Sequence, residues 1–253
     1  MHADLTGRTA LVTGASSGIG EATAIAMAAA GARVAAVGRD HDRLAGVVGR
    51  ITDAGGEAVA LEADLADAGQ AAGLVDRVVE AFGGVDAVVH AAGAFDPLPL
   101  ADTTQEVLDH HWAVNVRSPF LITQAAVPHM ADGGTVVFVS STVARRGFGG
   151  FSAYTASKGA VESLARALAV ELAPAVRVNV LAPGFVETPM VTTQYDANPD
   201  MRGTLRAKTP VGFVGDAADL AHAAVFLSSD LSRYVNGSEL VADGGWTAAG
   251  WQS

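Results

Sequence analysis

The chain has no cysteine, which excludes disulfides, thiolate metal sites and cysteine nucleophiles together and makes the cytosol the expected compartment. Charge is scarce at 17%, aromatic rings are scarce at 6%, and positive charge is scarcer than negative. Sixteen lysines and arginines face 27 aspartates and glutamates, a net charge of −11. That balance disfavours nucleic acid or an anionic membrane surface as the main partner. Long apolar runs are missing too. The most apolar helical stretch, near residues 22–32, stops at Arg33, and the first residues carry Asp4 and Arg8 rather than a cationic leader with cleavable small residues. Neither export nor a membrane span is expected. Hydrophobic residues make up 50% of the 253, ample for a buried core.

Short β-branched runs alternate with longer Ala-rich segments of helical period from one end of the chain to the other. Strands are expected near Arg8–Thr13, Arg33–Val37, Ala58–Glu62, Ala87–His90, Thr135–Val139, Val176–Leu181 and Ser238–Val241. The early strands (TALV, VAAV, AVVH) are nearly continuous apolar runs, as when helices cover both faces of a parallel sheet. The expected fold is α/β: one Rossmann-type domain over residues 1–253, a doubly wound parallel sheet of about seven strands. Residues 184–215 lack clear periodicity, and a stretch that long inside a compact domain reads as a substrate loop or lid rather than an ordinary surface excursion.

The chemically interesting residues all follow strand ends, so they share the sheet edge where open α/β folds bind ligands. After the first strand comes TGASSGIG, residues 13–20. Gly14 permits the turn, Gly18 lets backbone approach a pyrophosphate, and Gly20 lets the following helix pack on the strand, its N–H groups facing phosphate. The second strand ends in Gly38 and Arg39, where an adenosine ribose belongs. A guanidinium suits a 2′-phosphate; the bland reading of Arg39 is a solvated loop cation.

After the fifth strand, residues 141–158 read STVARRGFGGFSAYTASK. On a helix, Tyr154 and Lys158 lie four apart on one face. A nearby ammonium favours the phenolate, lowering the phenol from about 10 toward a range useful in acid-base work, and Ser141 offers a hydroxyl at the strand end. The same spacing also suits two surface neighbours. His110 and His111 are adjacent, point about 100° apart on a helix, and do not make the i, i+4 pair of a zinc site; no metal is expected. His90 reads as a core or cofactor-edge histidine.

Taken together, these motifs resemble the short single-domain branch of the short-chain dehydrogenase/reductases along essentially the whole chain. TGASSGIG resembles that branch's cofactor turn, implying contacts from Gly14, Ser16, Ser17, Gly18, Ile19 and Gly20. Asp64 and Leu65 resemble its adenine-contacting pair, and the segment Ala91, Ala92, Gly93 resembles its next cofactor contact. Asn115 resembles its structural and proton-relay asparagine, and Ser141, Tyr154 and Lys158 its catalytic residues, Tyr154 and Lys158 also touching the cofactor. Pro183, Gly184, Val186 and Thr188 resemble the turn that holds the nicotinamide carboxamide. HAAG departs from the family's more usual pair of asparagines. Ser17 stands where NADPH-preferring relatives often carry a cation, and Gly38 replaces the aspartate typical of NAD-preferring ones.

The resemblance implies hydride transfer between a nicotinamide dinucleotide and a ketone or secondary alcohol, with Tyr154 as general acid or base. NADP(H) is the expected cofactor on the strength of Arg39 and Gly38, with NAD(H) the alternative because Asp40 is able to turn toward a ribose hydroxyl. Phe95, Phe148, Phe151, Phe185, Met190, Tyr195 and Met201 suggest a largely apolar small-molecule substrate. Two other functions stay open. One is reduction of a 3-oxoacyl chain on an acyl carrier protein, for which Arg117, Arg145 and Arg146 are the available docking cations. The other is a non-catalytic dinucleotide sensor, which has no need of Tyr154 or Lys158. A homotetramer built on helices near residues 102–130 and 152–172 is expected from the resemblance.

Overall fold

The computed structural model describes residues 2–193, 195, 198 and 200–249. In chain order, β1 (Thr9–Thr13) leads to α1 (Gly18–Ala29), β2 (Arg33–Gly38) to α2 (His41–Asp53), and β3 (Glu57–Glu62) to α3 (Ala68–Ala72) and α4 (Leu74–Phe82). Next, β4 (Ala87–His90) leads to α5 (Gln105–Trp112) and α6 (Ser118–Ala126), β5 (Gly134–Val139) to α7 (Ser152–Glu171), and β6 (Val176–Pro183) to the segment before β9 (Glu239–Ala242). These seven strands are the expected ones, with ends moved by a residue or two.

All seven pair in parallel in the order β3-β2-β1-β4-β5-β6-β9. Alternation along each strand sends side chains to two separate cores. Leu11, Val37, Val88, Val136 and Phe138 meet α4, α6 and α7 through Val78, Ile122 and Val161. Their neighbours Val12, Ala36, Val89 and Val137 meet α1, α2 and, through Leu220 and Ala224, the late helix α10 (Ala217–Ser228). A strand buried on both faces favours apolar residues on both, which is why the sequence shows nearly continuous apolar runs there, with polar residues such as Thr9, Thr13 and His90 at the strand ends. The fold is the doubly wound one expected. Among the described residues no helix is long and apolar enough to cross a membrane.

Residues 184–215 are more structured than their pattern suggests. They hold β7 (Val186–Glu187), which pairs with β8 (Gly215–Asp216) in a separate two-stranded sheet, and the helices α8 (Pro189–Thr192) and α9 (Met201–Lys208). Residues 194, 196, 197 and 199 of this segment lie outside the described ones. Only Leu205 of α9 is buried, so no apolar period marks that helix in the sequence.

Candidate active site

Chain order reverses between β1 and β4, and there the loops leaving the two strands touch. A Cβ on Gly14 would stand 2.7 Å from the Ala92 nitrogen, and one on Gly20 would stand 2.2 Å from the Gly14 oxygen. Neither position admits a side chain. Gly14 also needs its φ of 69°. The turn therefore closes backbone on backbone and brings the first turn of α1 to the floor of the cleft. Ser17 makes no side-chain bond at the N-cap of α1, whereas Asp40 caps α2 and Asp216 caps α10. The first N–H groups of α1 thus have no side-chain acceptor from the cap, as a helix end that receives phosphate requires. This cradle fits the pyrophosphate of a dinucleotide.

The cleft is lined by Gly14, Ser16, Ser17, Gly18, Ile19, Gly20, Arg39, Asp64, Leu65, Ala91, Ala92, Gly93 and Thr188, all on the expected edge. Arg39 is exposed at its rim. Asp40 is committed elsewhere: its Oδ1 accepts from the Arg43 N–H at 3.0 Å and its Oδ2 pairs with Arg43 Nε at 3.2 Å. Pro183, Gly184 and Val186 do not line the cleft. Pro183 is buried at the end of β6, Gly184 packs against Asp243, and Val186 is buried in the α1-side core. His110 and Val114, which the sequence did not assign to the cleft, line it as well, and so does Met190, expected at the substrate pocket. His110 gave no signal beyond its adjacency to His111.

At the far end stand the four other expected residues. Tyr154 and Lys158 occupy one face of α7, and Ser141, just past β5, lies close enough to the Tyr154 hydroxyl to act on it. Lys158 is buried, its Nζ donating to the Val139 carbonyl at 2.8 Å and standing 5.6 Å from the centre of the Tyr154 ring. A Cβ on Gly93 would lie 3.6 Å from that Nζ, so the lysine joins the dinucleotide cleft to the tyrosine. Asn115 lies in a π-helical turn, residues 113–117, a distortion frequent at functional sites. Its Oδ1 accepts from the Ala94 N–H at 2.7 Å, and its Nδ2 donates to the Ala94 carbonyl at 3.1 Å and to Ser157 Oγ at 2.9 Å.

One expectation is overturned. The protein's own groups do not favour the phenolate: burial pushes Tyr154 up to about 12, and the nearby Ser141 hydroxyl offsets only part of that. Burial also pushes Lys158 down to about 8. Desolvation disfavours the charged form of both groups.

Comparison with known proteins matches residues 14–247 to the family model described as enoyl-(acyl carrier protein) reductase. An uncharacterised oxidoreductase of Methylorubrum extorquens is 40% identical over 248 residues, covering 95% of this chain and 98% of the relative. The 2-(R)-hydroxypropyl-CoM dehydrogenase of Xanthobacter autotrophicus is 39% identical over 248 residues, covering 95% of this chain and 99% of that protein. A crystal structure of a short-chain dehydrogenase from Burkholderia cenocepacia in complex with NADP superposes with a TM-score of 0.89 at 38% identity, covering 96% of this chain and 99% of the other. The chain belongs to the short-chain dehydrogenase/reductase family.

As a short-chain dehydrogenase/reductase it is an oxidoreductase, and its departures from the family pattern have visible consequences. His90, in place of an asparagine, is buried; its Nε2 meets Thr123 Oγ1 at 2.9 Å and its ring stacks on Phe138 at 4.9 Å. Its Nδ1 has no partner, so the tautomer with hydrogen on Nε2 leaves only a lone pair unsatisfied. The aromatic residues gather beside Tyr154 rather than scattering. Phe95 meets Tyr154 edge to face at 4.9 Å and Phe151 at 5.1 Å, and Phe148 stacks on Phe151 at 5.5 Å and on Trp246 at 5.4 Å. Phe185 closes on Trp246 at 5.3 Å. Trp246 joins this group from the segment after β9. Met190 on α8 lines the cleft and Met201 opens α9, while Tyr195 has a buried hydroxyl without a partner.

Proposed function

We propose that this enzyme reduces the carbonyl of a small or medium, largely apolar ketone with NADPH, and oxidises the matching secondary alcohol in reverse. The observation that carries the reading is the placement of Ser141 beside Tyr154, with buried Lys158 between that pair and Gly93 of a cleft suited to a dinucleotide. When bound, the nicotinamide supplies the hydride to the carbonyl carbon. Tyr154 gives the developing alkoxide its proton, and Ser141 donates to the same oxygen as charge develops there. A phenol held near 12 is protonated throughout the neutral range and is set to act as the acid. Lys158, the cation between cleft and phenol, is the residue to hold the nicotinamide ribose. Asn115 fixes Ala94 and thereby the wall of the site. Thr188, the one residue of the expected 183–188 set that lines the cleft, is the residue to hold the carboxamide.

The aromatic group of Phe95, Phe148, Phe151, Phe185 and Trp246 supports an apolar substrate. Residues 184–215 serve as the substrate lid. The cations expected to receive an acidic acyl carrier are tied to neighbours: Arg117 donates to the Ala66 carbonyl, Arg145 pairs with Glu239, and Arg146 lies over the Trp246 ring at 4.7 Å. This favours a free small molecule. We take the enzyme to be a cytoplasmic homotetramer.

NADP(H) is supported by exposed Arg39 at the cleft rim, by commitment of Asp40 to α2, and by the NADP complex of the Burkholderia relative. The test is consumption of NADPH and NADH over a ketone panel, with dissociation constants of both for wild type and Arg39→Ala. A charged hydrogen bond to phosphate is worth about 1.5–3 kcal/mol, so the substitution is expected to weaken NADPH tens of fold or more and leave NADH unchanged. Equal shifts for the two cofactors would remove Arg39 from 2′-phosphate recognition.

A further inference from the structure

His111 is the most deeply buried polar side chain near the proposed chemistry, at 0% exposure, and it plays no part in the reaction as derived above. Its two ring nitrogens have unlike partners. Nδ1 lies 2.8 Å from the Val107 carbonyl, which only accepts, and Nε2 lies 3.2 Å from the Asp96 amide, which only donates. Nδ1 thus stands as donor and Nε2 as acceptor in these two bonds, with the Asp96 Oδ2 further off at 4.0 Å from Nε2. The first bond stays on its own helix, but the second crosses to the loop after β4, 15 residues upstream. Asn115, four residues on, grips the same loop through both backbone groups of Ala94. Two buried side chains therefore hold residues 94 and 96. Phe95 lies between them, packed edge to face on Tyr154 at 4.9 Å with an interplanar angle of 75°. The His111 ring also meets Tyr154, centre to centre at 6.3 Å.

We infer that His111 is a positioning residue: with Asn115 it clamps the 94–96 segment so that Phe95 forms a fixed substrate-side wall against Tyr154. This rests on the assignment of Tyr154 as the proton donor only for its effect on turnover. A histidine filling a core has no need to reach a loop amide, whereas an apolar residue here would leave the part-buried Asp96 N–H without this partner.

The test compares His111→Phe, His111→Asn and His111→Gln in the full-length enzyme. Phenylalanine keeps the ring and loses both bonds, asparagine keeps a donor near Nδ1 but does not reach Asp96, and glutamine places an acceptor near Nε2. With a ketone that wild type reduces, Phe and Asn variants are expected to lose about tenfold in kcat/KM, mostly through KM for the ketone, while the NADPH dissociation constant stays within about twofold. The Gln variant is expected to recover most of that loss. Hydrogen exchange of the peptide spanning residues 93–98 is followed in the same samples and should quicken in Phe and Asn but not in Gln. If wild type reduces no ketone, the Tyr154 reading fails and the exchange pattern alone decides on the clamp. Equal exchange in all four proteins, or a Gln variant as impaired as the Phe variant with cofactor affinity lost in parallel, would overturn it.

Discussion

Burial moves three side chains at neighbouring strand ends and α7, each toward its uncharged form: Tyr154 up to about 12, Lys158 down to about 8 and His90 down to about 3. The sequence shows that Tyr154 and Lys158 share a helix face, because a four-residue spacing is enough for that. It does not show the sense of the phenol's shift, which depends on what packs around both groups. For His90 the sign is definite. Below the ordinary value of about 6.5 the unfolded chain binds a proton that the folded protein refuses until about pH 3, so stability falls with pH across that window. The loss, fully developed, is on the order of 5 kcal/mol. His90→Asn restores a neutral side chain able to reach Thr123, and acid unfolding of this variant is expected to lose one proton of pH dependence between about 6.5 and 3. Identical slopes for the two proteins would show that His90 titrates normally. The place of His111 was beyond the sequence for another reason: its decisive partner is a loop amide, and no residue pattern encodes where that amide points.

At the level of elements, the apolar, β-branched runs marked the seven strands of the main sheet, because the central ones are buried on both faces along most of their length. The glycines of residues 13–20 were equally legible, because a turn that admits no Cβ leaves a direct trace in composition. Residues 184–215 were not. Two-residue strands, the four-residue α8, and an α9 with one buried side chain are too small to show a period. Their few buried apolar contacts and position beside the cleft suit a segment that closes over ligands. Hydrogen exchange is expected to be fastest there in the enzyme alone and to slow when NADPH and a ketone are both present. Equal protection with and without the ligands would contradict a lid.

On the scale of the whole molecule, a chain of net charge −11 still exposes large apolar side chains on adjoining helices. Leu108, Trp112 and Phe120 on α5 and α6 are 45%, 51% and 43% exposed, and Val170 on α7 is 82% exposed. Such faces favour self-association over free hydration. Light scattering is expected to give a tetramer of the 25.6 kDa chain, and Trp112→Lys a smaller species. A monomeric wild type would refute the oligomer. The central claim concerns a proton on a single oxygen, and one comparison tests it most directly: ketone reduction by Tyr154→Phe against wild type, with NADPH affinity measured in both. The ring remains and the hydroxyl goes, so turnover is expected to fall by about 10²–10⁴-fold while the dissociation constant for NADPH stays within about twofold. A folded Tyr154→Phe enzyme that reduces the ketone at the wild-type rate would contradict the account.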